Sequence, residues 1–152
     1  MALHFEKYTQ EANTFINRLA EDLNHPNDTN QTKVILRSVL HSLRDRITVS
    51  ESVNLIAQLP FYLKAVYVDD WKYKELPDRI KSIEDFAANV KEYQKKYGEQ
   101  EFSWTEPTEE IIRIVIRSIT TQYVSRGEMK HVQAQLPEEI EMLVGEGAET
   151  SH

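Results

Sequence analysis

The chain has 152 residues, 40% of them hydrophobic and 28% charged, and a formal net charge of -7. With 4 Gly, 5 Pro and no apolar run approaching the roughly 20 residues of a membrane helix, it reads as neither fibrous, low-complexity nor membrane-spanning. The absence of Cys excludes disulfides, thiolate metal sites and a cysteine nucleophile.

Residues 1–75 hold nine Lys and Arg against ten Asp and Glu, and residues 76–152 hold nine against fifteen. Basic residues are scattered and outnumbered, so neither a nucleic acid nor an anionic membrane is expected as partner. The opening Met1 to Lys7 shows no charged leader and no apolar export segment, which makes the cytoplasm the expected address.

Apolar residues recur at helical spacing along nearly the whole chain. Ala12, Phe15, Ile16, Leu19 and Leu23 mark a first helix, stopped by Asn24-His25-Pro26-Asn27-Asp28. Asp28 with Gln31 caps a second helix, whose core face is Ile35, Leu36, Val39, Leu40, Leu43 and Ile47. Thr48 and Glu51 form a capping box for a short third helix ending at Gln58. Pro60 then suits the first position of a fourth helix with Leu63, Val66 and Tyr67 on its buried stripe.

Asp69 to Asp78 reads as a linker, after which Ser82 with Asp85 opens a helix carrying Phe86, Val90, Tyr93 and Tyr97, with Gly98 as a left-handed stop. Pro107 leads a helix with Ile111, Ile112, Val115, Ile116 and Ile119. A strand competes for this β-branched run, but the acidic start and the Arg113 to Arg117 spacing favour a helix. Gly145 to His152 reads as a flexible tail.

The chain also matches itself. Leu36, Val39, Leu40, Leu43 and Ile47 align with Ile112, Val115, Ile116, Ile119 and Tyr123 at an offset of 76. One inserted residue shifts the offset to 77, where Thr48, Glu51, Gln58, Leu59 and Pro60 align with Ser125, Glu128, Gln135, Leu136 and Pro137. The expectation is an all-α fold of two tandem four-helix repeats, about 10–68 and 82–144, forming one pseudo-symmetric domain over residues 1–144 that unfolds as a unit.

The stretch Val39-Leu40-His41-Ser42-Leu43-Arg44-Asp45-Arg46-Ile47, then Ala57-Gln58-Leu59-Pro60 and Tyr67-x-x-x-Trp71, resembles the prokaryotic family designated domain of unknown function 2267. The second half echoes it in Ser125-x-Gly127-Glu128-x-x-x-Val132-x-Ala134-Gln135-Leu136-Pro137, and the resemblance spans Phe15 to Val144. It implies a small bacterial helical protein and brings no catalytic residues. Where the family has a glycine before the tail Trp, this chain has Asp70.

Several constellations carry potential chemistry. Gln58 and Gln135 recur in Ala-Gln-Leu-Pro, either as ligand amides or as structural caps, and the structural role is favoured. Arg37, His41 and Arg44 share one helical face, partly reproduced by Arg113 and Arg117, and either grip an anion or an acidic partner or form a solvated stripe with acids nearby. Phe61, Tyr62 and Trp71 belong to an aromatic segment whose repeat partners for the first two are Glu138 and Glu139, so that helix is either central to the core or a docking patch. The five His residues show no H-E-x-x-H or i, i+4 pair, so no metal or other cofactor is expected. Without a G-x-S-x-G elbow or a glycine-rich phosphate loop, no catalytic residue is nominated. The expected function is a non-enzymatic interaction or regulatory module binding a protein partner or itself as a homodimer. A small-ligand binder using the groove between repeats stands second, and an enzyme third.

Overall fold

The computed structural model describes residues 4–72, 82–98 and 103–133. Over these residues the chain is all-α: α1 (Phe5–Asp22), α2 (Thr29–Arg44), α3 (Val49–Gln58), α4 (Phe61–Val68), α5 (Ile83–Tyr97), α6 (Thr108–Tyr123) and α7 (Arg126–Gln133). No described helix is long and apolar enough to cross a membrane. The expected helix after Pro137 and the tail lie outside the described residues, as does Asp78 at the end of the linker.

Local chemistry sets the boundaries. Asn24 ends α1 in the left-handed region at φ 65°. Around it the Asn24 amide donates to Glu21 and the His25 amide to Ala20, the paired bonds that satisfy a helix end. Asp28, Thr48 and Ser82 each accept from the amide three residues on, as their spacing predicts. Two expectations shift by one position. Pro60 and Pro107 stand just before their helices with ψ 163° and 139°, as caps and not as first helical residues. Gly98 closes α5 at φ -78°, so its end needs no left-handed glycine.

At Asp70 the reverse occurs. This residue adopts φ 54°, a conformation that glycine favours and that Asp tolerates better than most. The tight turn before Trp71 is therefore kept without a glycine, and the Trp71 amide donates to the Val68 carbonyl.

The core follows the apolar stripes. α2 is central, lying against α1, α4, α5 and α6, while α3 packs on α7. The run from Ile111 to Ile119 is helical, and its β-branched residues Ile111, Ile112, Val115 and Ile116 are all buried. Near the chain's middle, Trp104 stacks on His25 at 4.0 Å between ring centroids and donates to Asp28, the α2 cap. A void of about 30 Å³ remains where α2, α3, α6 and α7 meet, lined by Val39, Leu43, Leu55, Ile119 and Met129.

Within α4, Leu63 and Tyr67 are fully buried while Phe61 and Val68 are exposed, so the aromatic helix is at once core and surface. Its last turn has Tyr67 buried but Val68 and Asp69 exposed, and the carbonyls of Val66, Tyr67 and Asp69 on its inner side take donors from α2. Arg44 Nη1 donates to the Tyr67 and Asp69 carbonyls at 2.8 Å each, and His41 Nε2 meets the Val66 carbonyl at 2.7 Å. A cation at a helix C-terminus is favoured by the helix dipole as well as by the bonds it makes. Arg44→Ala should lower unfolding free energy in denaturant melts by about 3 kcal/mol, because one buried and one part-buried carbonyl lose a charged donor. A loss below about 1 kcal/mol would show that α4 is held by its apolar face alone.

Candidate functional site

The stripe on α2 is buried at two of its three positions. Arg44 and His41 are buried, and the third member, Arg37, pairs with Asp69 at 2.7 Å and lies 3.8 Å above the Tyr97 ring. All three converge on the end of α4. Trp71, half-buried, meets Tyr67 edge-on at 5.8 Å and sits 5.9 Å from the Arg44 guanidinium carbon. In the second half Arg113 pairs with Glu110 on its own helix, and Arg117 is exposed. The two Arg sets are thus used differently.

His41 is the chemically distinctive member. Its Nε2 faces a carbonyl, which only accepts, so Nε2 carries the proton and Nδ1 accepts from the Tyr97 hydroxyl at 2.6 Å. Burial, reinforced by Arg44 and Arg37 against the opposing Val66 carbonyl, depresses its pKa to about 4. The ring is neutral at pH 7.

Gln58 acts as a cap, though on a helix distant in sequence and not on its own. Its Oε1 accepts from the Ser125 amide at 2.7 Å, so the end of α3 completes the start of α7. Ser125 in turn accepts from the Glu128 amide. In a capping box the glutamate bends back to the cap residue's own amide. Here Gln58 has taken that amide, and Glu128 turns toward α3. The matching Gln135 lies outside the described residues.

Toward α3, Glu128 meets Glu51, the residue at the same place in the other capping box. Each is 8% exposed, and one oxygen of each, Oε1, is buried without a partner. His131, one turn along α7, stands at the rim with Nδ1 3.9 Å from the Glu128 carboxylate. The donor atoms of Glu51, Glu128 and His131 lie within 4.8 Å of one another. Burial, then the hydrogen bond and charge of Glu51, push the Glu128 carboxyl up to about 7. Sequence reasoning missed this cluster. The signal available was Glu128-x-x-His131, an i, i+3 pair on one helix face opposite a second carboxylate in the aligned position.

A third region joins α1, α4 and α6. Tyr62 and Tyr123 share a hydroxyl hydrogen bond at 2.5 Å, and both rings lean on Phe15. They border an open groove of about 610 Å³, also lined by Lys7, Glu11 and Arg18. Next to it Phe61 stacks on Tyr8 at 4.8 Å, and Tyr8 meets Phe5 edge-on.

The depressed His41 pKa predicts a pH dependence. As pH falls through 6.5 the unfolded chain gains a proton that the folded one refuses until about 4, so stability is lost over that window, by about 3 kcal/mol in full. Glu128 acts oppositely, its raised value costing stability as pH rises from 4.5 toward 7. Comparing wild type with His41→Gln by urea melts cancels that contribution. The wild-type advantage at pH 7 should shrink steadily toward pH 4. An advantage independent of pH would mean that folding leaves the His41 pKa unshifted, and one that grows toward pH 4 that the folded ring is protonated.

The profile of the family described as "Uncharacterized conserved protein (DUF2267)" matches residues 12–143. No curated protein matches the chain. With an all-α fold and a family profile that covers most of its length, the chain belongs to the DUF2267 family.

Proposed function

We propose that the protein is a non-enzymatic interaction module whose docking face is formed by α1 and the start of α4. The observation that carries this reading is the surface ladder of Phe5, Tyr8 and Phe61. Phe5 is 60% and Phe61 50% exposed, and the three rings touch in sequence. A single exposed aromatic needs no explanation, but rings assembled side by side present a continuous apolar area that water disfavours and a protein partner would cover.

The partner that this face suits is a second copy of the chain. Beside the ladder, Lys7 and Arg18 share the groove with Glu11. A face carrying both signs can meet itself across a twofold axis, each charge opposite its complement. With a net charge of -7, contact through a one-signed face would be repulsive. The ligand-binding alternative has less support. The void of about 30 Å³ between α2, α3, α6 and α7 has room for roughly one water, and its lining is apolar apart from Thr120.

Sedimentation velocity over a concentration series tests the reading. The wild type should shift from monomer toward dimer as concentration rises, and Phe61→Ser should remain monomeric with an unchanged helical circular-dichroism spectrum. A wild type that stays monomeric throughout, or a Phe61→Ser variant that dimerises equally, would overturn it.

A further inference from the structure

We infer that Glu51, Glu128 and His131 form a binding site for one divalent transition-metal cation at the seam between α3 and α7, with zinc the ion that this donor set fits best. The proposal stands apart from the α1–α4 face and adds a ligand site to the molecule. Its first support is convergence. Two carboxylates and an imidazole from two different helices bring their donor atoms within 4.8 Å of one another.

The second support is the state of the carboxylates. Glu51 and Glu128 are more than nine-tenths buried, each keeps an Oε1 with no hydrogen-bond partner, and both side chains turn into the same space. Among the described residues the ion-pair partner of Glu128 is His131, which is exposed, and no Lys or Arg pairs with either glutamate. Two facing carboxylates removed from water need a positive charge between them or must give one up by holding a proton. A divalent cation supplies that charge and satisfies the open oxygens.

The donor chemistry selects among cations. Calcium and magnesium take six or more oxygen ligands, whereas imidazole with carboxylate suits zinc and its neighbours in the first transition row. Zinc binds carboxylate oxygen and imidazole nitrogen at about 2.0–2.2 Å, and a tetrahedron of that size sets its donors about 3.4 Å apart. His131 is on the exposed end of the cluster, with its side chain 69% accessible, so its rotation closes the remaining distance without moving either helix. Glu128 and His131 at i, i+3 repeat the Glu-x-x-His arrangement by which helices present paired ligands to one ion. Three protein ligands leave a fourth position for water.

Full-length protein is treated with a chelator, dialysed, and titrated with zinc chloride at pH 7 in a calorimeter, with melting temperature followed in parallel. The expected result is saturable uptake of one zinc per chain and a rise in Tm. Glu128→Gln and His131→Ala should each weaken uptake by more than about tenfold and abolish the Tm rise. Glu128→Gln removes one of two facing acids, so the metal-free variant should melt no lower than the metal-free wild type, and its lost response reads the ligand and not the fold. Absence of saturable uptake would overturn the site. So would uptake that survives in His131→Ala undiminished, or an equal response to magnesium chloride.

Discussion

The end of α4 imposes the constraint from which most of the polar interior follows. The last turn of this eight-residue helix leaves carbonyls on the side that packs against α2, and an unpaired buried carbonyl there costs more than its bond would gain. α2 answers with His41 and Arg44, and these need partners and shielding of their own. Tyr97 of α5 bonds to the far side of the His41 ring and lies under Arg37, while Tyr93 donates to Asp45 just beyond α2. Tyr67, anchored through its carbonyl, reaches Ser52 of α3 with its hydroxyl at 2.6 Å. One helix end thus ties four helices into a single hydrogen-bonded network, and a network of this kind is stable only when complete.

The seam between α3 and α7 is built on a different principle, the exchange of caps. Each helix starts with its own serine or threonine, yet the amide of Ser125 is satisfied by Gln58 from the opposite helix. That exchange frees Glu128 from its local duty and leaves it facing Glu51. The carboxyl pair is therefore a product of the capping arrangement as much as a site in its own right, and Ala-Gln-Leu-Pro acquires a physical meaning: the glutamine bridges helices and the proline opens α4.

Helix starts were legible because a cap is a local event. Asp28, Thr48 and Ser82 bond three residues onward, and spacing alone reveals them. The apolar faces of α2 and α6 were legible for the same reason, since burial of a stripe depends on period. The Arg37, His41 and Arg44 stripe defeats such reasoning: a polar face at helical spacing looks identical whether it meets water or a buried helix end, and the carbonyls it serves belong to main chain without a sequence signature. Phe61 was ambiguous because its neighbours in α4 divide between core and surface within one turn. Glu51 stands at capping-box spacing from Thr48 and Glu128 at the same spacing from Ser125, and nothing in one box announces that the other will face it. Asp70 shows the converse, a turn retained although the residue that usually permits it is absent.

The bond from Gln58 to Ser125 gives the fold a direction in time. A ribosome releases α3 well before α7, and Gln58 is then an acceptor with no donor yet synthesised. α7 has eight residues, too few for a helix to persist in water unaided. Its first turn is completed by an acceptor that lies 67 residues earlier in the chain. The two halves, though alike in sequence, are therefore not interchangeable: one supplies the acceptor and the other the amide, and α7 cannot be completed by its own half alone.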